Sequence, residues 1–357
     1  MPVPDRVLST RELNRAVLAR QLLLERSSLG PAQALERLAG LQTQYAPSGY
    51  VGLWSRLAGF RATALTDVLT AGAIVQGWMM RCTIHMVSAS DYAPFTEAVR
   101  AVRREWWRRA YKHLAGLDMA AVAELARGHL AAGPLRQAEI QARLDADGVP
   151  KEAWTGVQLW TDLIRVPPAG TWGTPRAHVY GLAPPARASL PEAAGRSVLV
   201  ARYLGAFGPA SAGDIASFCG WKLTPTRAVL SGLELRRFRD EAGNELFDVL
   251  SAPLPAPDTP APVRFLGPWE ACLLVHARRA QILPEAYRKR VFATSMPQSV
   301  PVFLVDGRVA GTWRRVEGEV RCSSFDQLSS AVEEKVREEA ELLSAFHADA
   351  DRSASAR

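Results

Sequence analysis

Hydrophobic and polar positions along this chain follow two alternating periods. Apolar residues recur at helical spacing over Val17 to Leu24, Ala120 to Leu130 and Val198 to Leu204. Each of these segments is followed by Gly-Pro, four residues and an acid: Gly30-Pro31 with Glu36, Gly133-Pro134 with Glu139, and Gly208-Pro209 with Asp214. Proline is tolerated in a first helical turn, where its missing N–H has no partner to lose, and an early acid suits the helix dipole. The signature is therefore the start of a helix-turn-helix, three times. A further helix is expected after each copy, over Ser48 to Leu57, Lys151 to Leu163 and Thr224 to Leu235. β-type segments then follow, over Ile74 to Val87, Arg165 to Leu182 and Phe238 to Val249, the last with Gly243-Asn244 as its hairpin turn. Helices closed by a hairpin make a winged helix, so the fold class is α+β with three tandem winged-helix units.

Proline-rich linkers fall at Pro184-Pro185 and from Leu254 to Pro262. Beyond them Val263 to Phe265, Val300 to Val305 and Arg308 to Trp313 read as strands, with Asp306-Gly307 a two-residue turn, and Phe325 to Ala345 as a closing amphipathic helix. The expected units are 1–115, 116–190 and 191–258, then a β-rich C-terminal segment at 259–346. His347 to Arg357 is small and polar and is expected to fray.

Composition narrows the class. The 357 residues suffice for two or three cores, and no apolar run reaches the roughly 18 residues of a membrane span. Met1-Pro2-Val3-Pro4-Asp5-Arg6 lacks the pattern of a secretory signal, so a cytoplasmic location is expected. Cys82, Cys219, Cys272 and Cys322 form no Cys-x-x-Cys pair, and the six histidines show no His-x-x-x-His pairing. No metal or cofactor is therefore expected. The net charge is +7, carried almost entirely by arginine, and the pI is about 9.5. Such a surface favours a polyanion, and arginine forks suit phosphate oxygens.

The candidate chemistry lies in Leu41-Gln42-Thr43-Gln44-Tyr45. Ala34, Leu35 and Leu38 recur at helical spacing upstream, so Gln42 and Gln44 sit where a helix gives way to a turn. This stretch, Leu53-Trp54-Ser55-Arg56-Leu57 and Met80-Arg81-Cys82-Thr83-Ile84-His85-Met86-Val87 together resemble the AlkZ/YcaQ family. Phe207-Gly208-Pro209-Ala210 with Asp214, Leu266-Gly267-Pro268-Trp269-Glu270 and Leu304 to Arg314 extend the resemblance over most of the chain. These are bacterial winged-helix DNA glycosylases that unhook interstrand crosslinks. The Gln-x-Gln form is similar to the AlkZ branch, linked to self-resistance against DNA-alkylating antibiotics. The middle residue, commonly aliphatic in the family, is Thr43 here.

The resemblance implies catalytic Gln42 and Gln44 acting on double-stranded DNA, and a monomer is expected. Winged helices usually read the major groove through their second helix, whereas three in series can form a concave channel around a duplex. By the resemblance, DNA contacts would include Tyr45, Ser48 and Arg56 beside the motif. Arg81, Thr83 and His85 alternate on an expected strand and share one face, which by resemblance borders the cleft holding the glutamines. Arg81 is the candidate phosphate contact and His85 a contact near the lesion. A second basic cluster spans Arg100 to Lys112: on a helix Arg100, Arg104 and Arg108 share one face, suited to phosphates, while Trp106, Trp107 and Tyr111 would pack inward.

Glutamine is neither acid nor base at neutral pH. It offers one carbonyl acceptor and two N–H donors. A glutamine pair can orient a water and place partial negative charge beside a developing cation. That suffices only for a good leaving group, such as a purine made cationic by N7- or N3-alkylation, which departs through an oxocarbenium-like state. The lysine nearest this stretch in sequence is Lys112, so a monofunctional glycosylase without strand cleavage is expected. Two competing readings remain: a winged-helix transcription regulator, and an architectural or drug-sequestering DNA-binding protein. Release of a free base separates both from an enzyme.

Overall fold

A computed structural model describes residues 6–184, 190–292 and 298–356. Met1 to Asp5, Pro185 of the first linker and the terminal Arg357 lie outside the described residues. The chain opens with strand β1 (Arg6–Leu8) and helix α1 (Thr10–Arg20), whose N-terminus is closed by a capping box between Ser9 and Glu12.

One order of elements then recurs three times. It runs first through α2 (Pro31–Leu38), the short strand β2 (Leu41–Gln42), α3 (Ala46–Trp54), α4 (Ala62–Thr70) and the hairpin β3 (Ile74–Trp78) and β4 (Ile84–Ser88). The long helix α5 (Ala89–Ala110) leads on. The order returns as α6 (Met119–Leu130), β5 (Leu135–Arg136), α7 (Gln137–Ala146), α8 (Trp154–Trp160), β6 (Leu163–Arg165) and β7 (Val179–Leu182). It returns again as α9 (Glu192–Phe207), a single bridge at Ala210, α10 (Ala212–Cys219), α11 (Leu223–Ser231), β8 (Leu235–Asp240) and β9 (Glu245–Val249). In each round the short piece after the first helix pairs antiparallel with the second hairpin strand. Gln42 faces His85, Leu135 faces Tyr180, and Ala210 bridges Phe247.

This register corrects the reading of the Gly-Pro repeat. Pro134 and Pro209 stand just before the short pairing piece. Their acids then cap the next helix: Glu139 accepts from the Arg136 N–H at 2.8 Å and Asp214 from the Ser211 N–H at 2.9 Å. Gly30-Pro31 stands one helix earlier, with Pro31 in the first turn of α2. The first-round counterpart of the other two copies is the stretch at Gln42 itself.

The first two hairpins do not stand alone. They join edge to edge through β3 and β6 in a six-stranded sheet of order β2-β4-β3-β6-β7-β5, with Gln76 opposite Arg165 and Gly77 opposite Ile164. Strand pairing removes edges that would otherwise be free to bind another chain. β1 returns to the third hairpin and pairs parallel with β8.

The C-terminal segment is an antiparallel sheet of β10 (Arg264–Leu266), β11 (Val302–Val305), β12 (Arg308–Val316) and β13 (Glu319–Ser324), with the one-turn helix α12 (Arg288–Val291) between β10 and β11 and the long helix α13 (Ser330–Ser355) at the end. The Asp306-Gly307 turn links β11 to β12. β13 has one buried side chain, Val320, which is why its composition carries no strand signal. α13 begins later than Phe325 and runs through the stretch expected to fray. Its last turns are held: His347 and Ala350 are buried, the Trp172 indole donates to Asp351 at 2.8 Å, and Arg315 pairs with the same carboxylate at 2.7 Å.

Every residue of α3 is buried, as expected for a helix apolar all round. Around it, arginines of the first ninety residues reach acids far along the chain. Arg20 pairs with Asp248 at 2.6 Å and Arg56 with Glu270 at 2.9 Å, both pairs almost fully buried. These contacts lock the N-terminal helices, and with them the end of β2, against the third round and the C-terminal segment.

Candidate active site

Gln42 ends β2, and Gln44 lies just before the first turn of α3. The ladder to β4 continues one step past the strand, where the Thr43 N–H donates to the Ile84 carbonyl at 2.8 Å. At the next step a side chain replaces the backbone: the Gln44 carbonyl oxygen accepts from the Ile84 N–H at 3.2 Å. That bond orients an otherwise exposed amide. Gln42 differs. It is 7 % exposed, and no described residue hydrogen-bonds its side-chain amide. One amide is thus anchored and the other is left available. No carboxylate is hydrogen-bonded to Gln42, Gln44, Arg81 or His85 among the described residues.

Thr43 points the other way and is buried. Its hydroxyl donates to the Gln76 side-chain carbonyl at 3.4 Å, and its methyl lies against Gly49, where an added Cβ would come within 2.8 Å. Gln76 in turn donates to the Gly170 carbonyl at 2.9 Å and receives Arg165 at 3.5 Å. The departure at Thr43 is therefore matched by a small residue on α3 and a polar partner on β3. Gln76 escaped the sequence reading, although a lone polar residue in the apolar run Ile74-Val75-Gln76 was a signal. Ser48 is also buried and structural, its hydroxyl donating to the Tyr45 carbonyl at 2.6 Å and the Gln42 carbonyl at 3.3 Å. Tyr45 is 41 % exposed beside Gln44.

Arg81, Thr83 and His85 meet, but not as one strand face. Arg81 lies in a 3-10 turn with φ of 54°, Thr83 follows it, and the strand starts at Ile84. The tight turn brings them together locally. The Arg81 guanidinium is 3.5 Å from His85 Nε2, and the Thr83 hydroxyl is 3.5 Å from His85 Nδ1. Arg81 also donates to the Phe218 carbonyl at 3.0 Å, at the C-terminal end of α10, where the helix dipole favours a cation. Burial, then the Arg81 charge, push the His85 imidazole down to about 3, so it is neutral at physiological pH. Burial lowers Arg81 to about 10, which leaves it charged.

Two expected DNA contacts are already engaged internally. Arg56 is completely buried and bonded to Glu270, Gln21 and the Gly52 carbonyl, so it faces the interior rather than a duplex. Arg100 pairs with Glu97 at 2.6 Å and Asp162 at 2.7 Å. Arg104 and Arg108 stack over Trp160, with 5.0 and 5.4 Å from guanidinium carbon to ring centroid. Trp107 packs inward as expected, but Trp106 is 41 % exposed. A pocket of about 470 Å³ between α4, the 167–174 loop and α13 includes none of the motif residues.

The model of the AlkZ-like DNA glycosylase family matches residues 35–346, and the chain belongs to that family. A curated relative from Streptomyces sahachiroi, described as an interstrand DNA cross-link repair glycosylase, is 25 % identical over 364 residues, 90 % of this chain and 92 % of its own length. The solved structure of the Streptomyces sahachiroi DNA glycosylase AlkZ superposes with a TM-score of 0.79 at 19 % identity, covering 96 % of this chain and 97 % of that one. No helix of the described residues is long and apolar enough to cross a membrane.

Proposed function

We propose that the protein hydrolyses the N-glycosidic bond of N7- or N3-alkylated purines in double-stranded DNA, including bulky adducts and interstrand crosslinks left by DNA-alkylating natural products. The observation that carries this reading is the pair of amides at the β2–α3 junction, Gln44 anchored on Ile84 and Gln42 unengaged among the described residues, none of which offers a carboxylate hydrogen-bonded to either. Gln42 and Gln44 hold the attacking water and place carbonyl oxygens beside the sugar as positive charge develops there. They supply no proton to the leaving base, and an alkylated purine needs none, because it departs neutral from a cationic state. The protein then acts as a monofunctional glycosylase and stops at an abasic site. Neutral Gln42, neutral His85 and cationic Arg81 form the row along which the duplex is read, with Tyr45 at its open end.

The three rounds of helix, short strand, two helices and hairpin support three winged-helix units within 1–115, 116–190 and 191–258, arranged as a concave channel around a monomer's duplex. The experiment is direct. Incubation with a duplex carrying N7-alkylguanine should release free base and leave the phosphodiester backbone intact, while duplexes with uracil or 8-oxoguanine stay whole. Brisk uracil excision would contradict the leaving-group argument, and no base release from alkylated DNA would contradict the enzyme reading.

A further inference from the structure

We propose that the pocket between α5 and the Met80–Cys82 turn is a nucleotide subsite, in which one base of the bound DNA stacks on Trp106 and its phosphate is held by Arg109 and Arg81. The inference rests on the glycosylase reading and extends it to a site beside the glutamines. The pocket measures about 280 Å³ and is lined by Val102, Arg103, Trp106 and Arg109 of α5 and by Arg81 and Cys82 of the turn, with the end of α10 closing it. That is below the roughly 300–1,000 Å³ typical of drug-sized ligands, so it suits a single planar group.

Four observations converge there. Val102, Trp106 and Arg109 stand at positions i, i+4 and i+7 and so share one stripe of α5, away from the arginines stacked on Trp160. Trp106 is the exposed member of a tryptophan pair, and it makes no ring or cation contact among the described residues. An indole left open beside arginines is the platform on which a base stacks without regard to its identity. Arg81, Arg103 and Arg109 are the charged groups of an otherwise apolar wall, and the acid at Arg109 is Glu105 at 3.6 Å, both largely exposed. Finally, Arg81 and Cys82 are successive non-glycine residues with φ of 54°, a left-handed conformation that a side chain resists and that is held where a site requires it. Arg81 lines the pocket, its guanidinium lies 3.5 Å from His85, and His85 faces Gln42 across the sheet. A base held here therefore sets the position of the neighbouring nucleotide at the glutamines.

The test uses the full chain and duplexes with 5-iodouracil placed in turn at each position flanking a stable abasic analogue. On irradiation, iodouracil should crosslink to Trp106 at one flanking position, as mapped by mass spectrometry. W106A should lose that crosslink and bind the duplex about five- to 150-fold more weakly, the range of one stacking contact, while W106F keeps most of the affinity. R109A should make the salt dependence shallower by about one unit. Thermal midpoints equal to wild type show that the variants are folded. Crosslinks that map elsewhere, with W106A affinity within twofold of wild type, overturn the subsite. Base release by the wild type is assayed separately: its absence alongside a Trp106 crosslink would count against the glycosylase reading and leave the subsite standing.

Discussion

Gln42 faces His85 across the β2–β4 pair, and the same imidazole lies 3.5 Å from the Arg81 guanidinium. A neutral amide, a neutral imidazole and a cation thus stand in one row at the edge of the sheet. The row combines one cation with two neutral dipoles and holds no group that exchanges protons near neutrality.

Replacing Gln42 or Gln44 by alanine should slow release of N7-alkylguanine by roughly tenfold to a thousandfold each, the scale of one preorganised polar group. Duplex affinity should stay nearly unchanged, since phosphate contacts dominate it. Q44A also frees the Ile84 N–H at the strand end. Single-turnover rates of the double alanine variant at the wild-type level would falsify the assignment.

The packing behind the motif is tested at Gly49. A methyl there would meet the Thr43 methyl at 2.8 Å and Met86 Cε at 2.9 Å. G49A should lose about 1–3 kcal/mol in denaturant unfolding, the usual cost of overpacking. T43S removes one of the two clashing carbons and keeps the hydroxyl for Gln76, so G49A/T43S should recover part of the loss. No recovery would mean that Thr43 does not set the space above α3.

Arg56 separates burial from DNA contact. R56A should cost about 3–5 kcal/mol of stability by leaving Glu270 charged, buried and unpaired. R56M/E270Q should be milder than R56A alone. A well-folded R56A whose only defect is weaker DNA binding would instead restore Arg56 to the interface.

The arginines of α5 should divide by salt dependence. Arg108 is exposed and lacks an acidic partner among the described residues, so R108A should reduce the slope of log affinity against log salt by about one. Arg100 is tied to Glu97 and Asp162, so R100A should leave the slope nearly intact. Equal changes in both slopes would refute the division.

Acid should weaken the fold before it weakens the chemistry. Burial pushes His85 down to about 3, His347 to about 4, and His276 well below its ordinary value. A folded-state value below the unfolded 6.5 means that the unfolded chain binds the proton first. The stability held in these neutral imidazoles is therefore complete above about pH 6.5 and is lost as pH falls from there towards 3. Each contributes a slope of about 1.4 kcal/mol per pH unit in that window. Denaturant midpoints between pH 7 and 4.5 measure it. Over pH 6 to 8 base release should show no histidine inflection, and an inflection near 6.5 would place a titrating group at the site.

Much of this protein was legible in local sequence, because the signals involved are local. Helical spacing before Gln42 and Gly243-Asn244 between two β-rich runs act over a few residues, and the structure has a helix end and a hairpin there. The sequence also limits what Gln42 and Gln44 can do, since an amide is neither acid nor base near neutrality. What the tertiary structure decided depends on partners far along the chain. Arg56 is buried because Glu270 meets it, Arg100 is neutralised by Asp162, and Arg81 is turned out of the strand and held by the end of α10 at Phe218. The stretch around Gln42 proved to be the first round's pairing strand only once β4 lay beside it. A one-dimensional pattern records which residues can carry charge or pack. Whether an arginine is free for phosphate or neutralised in the core is settled by the acid that folding brings to it.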